Sequence, residues 1–281
     1  MSANKLSIAF NSMTVSLPRL ILLSFCFSSF AASADSSHSK IHQWLTKHHF
    51  TVNAGYFRAT YKKQDLLVVH PGYDRSIRFF DVEAGDISYF ENIQKLQITA
   101  TQHRVQFSAE FNKNWQASIS FSHLNYGALT NRLYRAQGTW NGQHINDTVR
   151  MSDYVKGLYH TNGLNLWNLG LKKSIPLIAQ PNNFKASILL GGHLGTALTS
   201  SEIEIRDTVG NKYLYFTPGN RLAGYNLGVN AALDLLFYKH YLLQGFWDWS
   251  YTNLIKAPFY EGYVKQKIFA NYYGVTLGYR F

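Results

Sequence analysis

Between Ala223 and Phe237 every second residue is apolar. Ala223, Tyr225, Leu227, Val229, Ala231, Leu233, Leu235 and Phe237 share one face, while Asn226, Gly228, Asn230 and Asp234 lie on the other. A period of two is the period of an extended strand, and this run is too long and too regular for a helix face. The last eleven residues, NYYGVTLGYRF, repeat the pattern. Tyr273, Val275, Leu277, Tyr279 and Phe281 alternate with Gly274, Thr276, Gly278 and Arg280. In water, such a strand at the end of a chain would be an exposed, adhesive edge. In a closed sheet crossing a bilayer it has no edge, its apolar row faces lipid and its polar row faces the lumen.

The same alternation runs through the chain. Val105, Phe107, Ala109 and Phe111 are followed, after the turn 112–114, by Trp115, Ala117, Ile119 and Phe121. Gln106, Ser108, Glu110, Gln116, Ser118 and Ser120 occupy the other side. Leu243, Gly245, Trp247, Trp249 and Tyr251 oppose Gln244, Asp248, Ser250 and Thr252, and weaker repeats cover 157–172 and 185–197. Each segment reaches the ~9–11 residues that a tilted strand needs to span a bilayer. If Phe281 marks the inner end, turns 112–114, 179–184 and 238–240 fall inside and are short. Connections 126–155, 203–221 and 254–264 fall outside and are expected to be loops, the first two long and polar. Seven strands from about 99 to 281, plus at least one in 50–90, predict an all-β fold. It is a transmembrane antiparallel up-and-down barrel of eight strands, with ten to twelve left open because 50–98 holds material for more than one.

The other terminus agrees with export. Lys5 and Arg19 precede an apolar run from Leu20 to about Ala32, and Ala32-Ser33-Ala34 has the small residues of a cleavage site. This predicts a signal peptide over 1–34, a periplasmic N-terminal lead over 35–49 and the barrel over 50–281. Cys26 is the one cysteine and would leave with the signal, excluding disulfides and thiolate metal sites from the mature chain. Removing Lys5 and Arg19 lowers the formal charge from +11 to +9. For an exported chain this points to outer-membrane lipid and lipopolysaccharide as partners rather than nucleic acid. Aromatic residues make up 16% of the chain at a slightly negative mean hydropathy, a combination that suits strands apolar on one side only.

With its signal, its alternating strands and its terminal aromatic strand, the chain resembles the outer-membrane β-barrel proteins of Gram-negative bacteria. In that class the final strand with its terminal Phe is similar to the signal read by the barrel-assembly machinery, which implies that machinery as a partner and Phe281 as an assembly signal. The segments SHLNYGALTN (122–131) and YHTNGLNLWNLGL (159–171) also resemble an element of small barrels, some of them lipid A-modifying. That likeness carries over no catalytic residue.

Candidate chemistry is sparse. Trp167, Leu169 and Leu171 fix the lipid face of their strand, so His160, Asn162, Asn168 and Lys172 should point inward. His160 and Asn162 would lie near the outer rim beside Asp153, where a histidine and a carboxylate could act as general base on a lipid. The plainer alternative is a hydrogen-bonded rim that orders the 126–155 connection. His123 shares parity with Trp115, Ile119 and Phe121 and should face outward, away from His160. A lumen polar network is expected from Arg104, Glu110, Lys172, Asp234, Asp248 and Arg280, joined by His193. It reads either as a pore lining or as a salt-bridged plug, and eight strands favour the plug. Tyr241, Trp249, Tyr251, Tyr273 and Tyr279 should form a girdle at the headgroup level. His38, His42, His48 and His49 lack the carboxylate or thiolate company of a metal site, and no cofactor or metal is expected. The leading reading is a non-enzymatic barrel with a surface or envelope role. A lipid A- or phospholipid-modifying enzyme and a narrow diffusion channel are the alternatives.

Overall fold

The computed structural model describes residues 38–81, 102–112, 114–124, 133–180, 183–206 and 212–281. The expected signal cleavage point lies outside them. A helix, α1 (His38–Lys47), leads into twelve strands: β1 (Thr51–His70), β2 (Arg75–Asp81), β3 (His103–Asn112), β4 (Trp115–Leu124), β5 (Leu133–Trp140), β6 (Gln143–Arg150), β7 (Val155–Gln180), β8 (Phe184–Arg206), β9 (Lys212–Phe216), β10 (Arg221–Phe237), β11 (Tyr241–Phe259) and β12 (Gly262–Arg280).

Eight of these close a ring, in the order β1, β3, β4, β7, β8, β10, β11, β12 and back to β1. All ring pairings are antiparallel. The closing one runs from Thr51 opposite Arg280 to Val69 opposite Tyr263. The terminal strand is therefore paired on both sides. At the chain end the Phe281 amide donates to the Phe50 carbonyl at 2.9 Å, and the Phe281 ring lies against Phe50 and Tyr279.

Outside the ring, β2 pairs with the upper half of β1 and carries β5 and β6 beyond it. β9 pairs with the top of β8. These strands correct three expectations. The 126–155 connection is not a loop, since most of it is the β5–β6 hairpin. The 203–221 connection holds the end of β8 and all of β9. The 254–264 segment is not a loop either: β11 and β12 continue to a turn between Phe259 and Gly262. The second strand in 50–90 exists as β2, but it lies off the ring, which stays at eight.

The extra height has its own core. On β12 the outward row runs Tyr279, Leu277, Val275, Tyr273, Asn271 and Phe269, then changes to Lys267 and Lys265. The inward row changes the other way, from Thr276 to Ile268 and Val264. The lower half is thus apolar outside and polar inside; the upper half is polar outside and apolar inside. Leu66, Val68, Ile77, Phe79, Tyr134, Leu158, Ile203, Ile205 and Leu254 belong to that upper core. In several strands a bulge also shifts the phase of the alternation, with register shifts at Tyr61/Lys63, Leu222/Gly224 and Leu254/Ala257. The shift in β10 also corrects one residue, because Ala223 is buried and does not join the outward row of Tyr225.

Candidate functional site

Around the lower half of the ring, the outward side chains are large and exposed: Phe107, Ile119, Trp167, Leu169, Leu194, Leu227, Val229, Trp247, Val275 and Leu277 among them. A continuous apolar band of this kind is stable only against lipid. Of the expected girdle, Tyr241 and Tyr279 stack edge to face at the end that holds Phe281. Trp249 and Tyr251 lie near the opposite margin of the band. Tyr273 departs from expectation: it sits within the band, between Asn271 and Val275, rather than at a margin.

Inside the band the lumen is filled by polar side chains. Arg104 Nη1 donates to Asp248 Oδ2 at 3.1 Å, His193 Nδ1 lies 3.7 Å from the same oxygen, and the guanidinium rests on the Phe246 ring. Lys172 Nζ donates to Gln106 Oε1 at 3.0 Å. Asn226 bridges Asn168 and His193 through its amide nitrogen and accepts from Ser250 and Thr252. Nearer the inner end, Gln244 joins Asn53 to Asp234, and Arg280 pairs with Glu110 at 3.0 Å. Of the six expected lumen charges, Arg104 meets Asp248 beside His193 and Arg280 meets Glu110, while Lys172 and Asp234 are held by the amides of Gln106 and Gln244. Gly228 makes room for this packing: a Cβ there would sit 2.6 Å from His193 Cε1 and 2.5 Å from the Trp249 carbonyl oxygen.

The rim site is not assembled. His160 is buried above the lipid band with its ring nitrogens facing Gln266 Oε1 at 3.1 Å and the Ser201 hydroxyl at 3.5 Å. Burial holds its imidazole down at about 4, with the Gln266 hydrogen bond acting weakly the other way. Asp153 is exposed in the three-residue 3-10 turn before β7. Both ring nitrogens of His160 thus face neutral side chains, an amide oxygen and a hydroxyl. Asn162 belongs to β7, and its side chain lies outside the described residues. His123 stacks on His103 across β3–β4, with Nδ1 2.8 Å from Asn165 Oδ1, and does not meet His160. In α1 and its exit, the His48 ring lies tilted against Trp44 at 4.9 Å and His49 takes a left-handed φ of 45°.

A cavity of about 400 Å³ opens on the band between β10, β11 and β12. Leu227, Val229, Trp249, Tyr251 and Phe269 line it, with Gly228 and His193 also contributing. Above it on the same strands stand the exposed lysines Lys256, Lys265 and Lys267. Lys267 Nζ is 3.7 Å from Asp65, whose carboxyl is held low chiefly by its hydrogen bond from Arg78. Lys256 and Lys265 lie over the Tyr263 ring and make no ion pair among the described residues. The sequence pattern identifies the band but not this vertical junction of cavity and cations, because the bulge at Leu254/Ala257 breaks the alternation in 254–264.

No protein-family model matches the chain, and no curated protein does. Solved structures do. OprG from Pseudomonas aeruginosa matches at 13% identity over 83% of this chain and 96% of its own, with a TM-score of 0.37. Ail, the attachment invasion locus protein of Yersinia pestis, matches at 15% over 83% and 99%, TM-score 0.32. The outer-membrane protease OmpT from Escherichia coli matches at 8% over 83% and 97%, TM-score 0.25. At these values the likeness carries no functional argument. The transmembrane barrel rests on the ring and the band themselves.

Proposed function

We propose that this protein is a closed, non-catalytic barrel of a Gram-negative outer membrane, exported by a cleaved signal peptide and presenting its upper sheet at the cell surface. The observation that supports this reading is the double filling of its interior. The Arg104–Asp248–His193 network occupies the lumen within the band, and the apolar core of β1, β2, β5, β7, β8, β11 and β12 occupies the space above it. An eight-stranded ring has room for little beyond its own side chains. Its partner in the membrane is outer-leaflet lipid, with chains against the β10–β12 cavity and phosphates near Lys256 and Lys265.

Planar-bilayer recording of the folded protein tests the closed state. A silent membrane is expected, and a stable unitary conductance would overturn the reading in favour of a channel. For the enzymatic alternative, the lipopolysaccharide mass spectrum should be the same with and without expression of the protein. A new species, lost in His160→Ala, would establish a lipid-modifying activity instead.

A further inference from the structure

At the end of the molecule farthest from Phe281, the tips of three connections meet. Ladder pairing places His70 opposite Arg75 and Arg75 opposite Trp140, so one row of side chains crosses β1, β2 and β5. Phe259 of β11 and Tyr215 of β9 close over the row, with their rings 5.6 Å and 4.6 Å from that of His70.

The anomaly in this cluster is Arg75. It is 4% exposed, yet no carboxylate lies within ion-pair distance of it among the described residues. Its Nε donates to Asn141 Oδ1 at 2.6 Å, its guanidinium lies 5.0 Å from the Tyr73 ring centroid and 5.3 Å from that of Trp140, and Tyr215 shares a hydrogen bond with it. Nη1 has no partner. Its neighbour His70 is kept neutral, since burial first and Arg75 second hold that imidazole below its usual range. Glu261 approaches His70 rather than Arg75, at 3.9 Å. Two aromatic faces offset part of the cost of burying a cation, but an unpaired guanidinium N–H in such a place is expensive.

Of the two rings that face the guanidinium, Trp140 is buried and Tyr73 is the exposed one. Tyr73 is 48% exposed and is carried by the 3-10 turn Pro71–Tyr73. Tyr213 and Tyr260 are exposed nearby, so the approach to Arg75 is an aromatic shelf on the outer tip.

We propose that this tip binds an acidic sugar, its carboxylate pairing with Arg75 and its pyranose face resting on Tyr73. A carboxylate matches the planar fork of a guanidinium and completes the unpaired nitrogen. The C–H bonds of one pyranose face carry partial positive charge, which suits the negative face of an aromatic ring. Tyrosine offers that surface with little rotamer entropy to lose. In this arrangement the Tyr73 ring moves aside from the guanidinium and becomes one wall of the site.

The test is a titration of the detergent-folded full chain with trigalacturonate and, in parallel, with uncharged maltotriose, followed by calorimetry. Trigalacturonate should bind at about 1 mM or better, and maltotriose should not. Arg75→Gln and Tyr73→Ala should each weaken trigalacturonate by about tenfold or more. Tyr73 is half exposed, so its variant reports on binding even if Arg75→Gln fails to fold, and heat-modifiable mobility on gels checks folding in both. Equal binding of the two sugars, binding unchanged in folded variants, or no binding of trigalacturonate would each overturn the proposal.

Discussion

His160 shows how far a single side chain can differ in role from what its neighbours in sequence suggest. With Asp153 seven positions before it, His160 reads in sequence either as a general base or as part of a hydrogen-bonded rim. Folding puts the imidazole instead between an amide and a hydroxyl inside the upper barrel, where it stays neutral. The consequence is a pH effect on stability with a fixed sign. The unfolded chain takes up a proton at the ordinary value near 6.5 and the folded one only at about 4. Stability is therefore complete above 6.5 and is lost as pH falls through that window, by roughly 3 kcal/mol at most for this group. Urea unfolding of the detergent-folded protein at pH 7.5, 5.5 and 4 should show the slope, and His160→Gln should flatten it. An unchanged slope in that variant would mean that other groups carry it.

At the scale of elements, β12 is the strand on which most of the architecture depends. It closes the ring and carries part of the lower lipid face and, above it, Lys265 and Lys267. Deleting Phe281 removes its hydrogen bond to Phe50 and its two ring contacts. The amount of heat-modifiable barrel in the membrane should fall while periplasmic protein remains; normal insertion would remove any assembly role. Lys256→Glu with Lys265→Glu should reduce co-purification of phosphorylated lipid several-fold by native mass spectrometry, and Lys47→Glu at the inner end should not. The lower halves of β3, β4, β10, β11 and β12 were legible because lipid on one side and a polar lumen on the other impose strict alternation. Their upper halves were not, for two reasons. The sense of the alternation reverses above the band, and bulges such as Leu254/Ala257 shift its phase, so a true strand reads as a loop. The β5–β6 hairpin did leave a signal. Asn141 and Gly142 both take positive φ, 52° and 78°, and Asn-Gly is the pair that a two-residue hairpin turn favours. The lumen charges were identifiable by parity, but the partners of each were not, since Arg104 and Asp248 meet across 144 positions of chain.

Over the whole molecule, the two halves of the interior are filled by opposite chemistry. The lower one is held by charges and amides that have each other as partners and would be costly to leave unpaired. The upper one is held by apolar burial, where truncating a residue such as Leu254 or Ile203 to Ala should cost about 2–5 kcal/mol. In the proposed closed barrel each half is a seal by itself, which gives a prediction that separates it from a gated barrel. Replacing Arg104, His193 and Asp248 together with Ala opens the middle of the lower lumen but leaves the upper core in place. Replacing 133–150 with a short Gly-Ser link removes β5 and β6 but keeps all eight ring strands and the lower network. Each change alone should leave planar bilayers silent, and the two combined should give small, steady conductance steps. If either single change already conducts, the plug it leaves behind is not a seal, and one half of the interior alone has been holding the barrel shut.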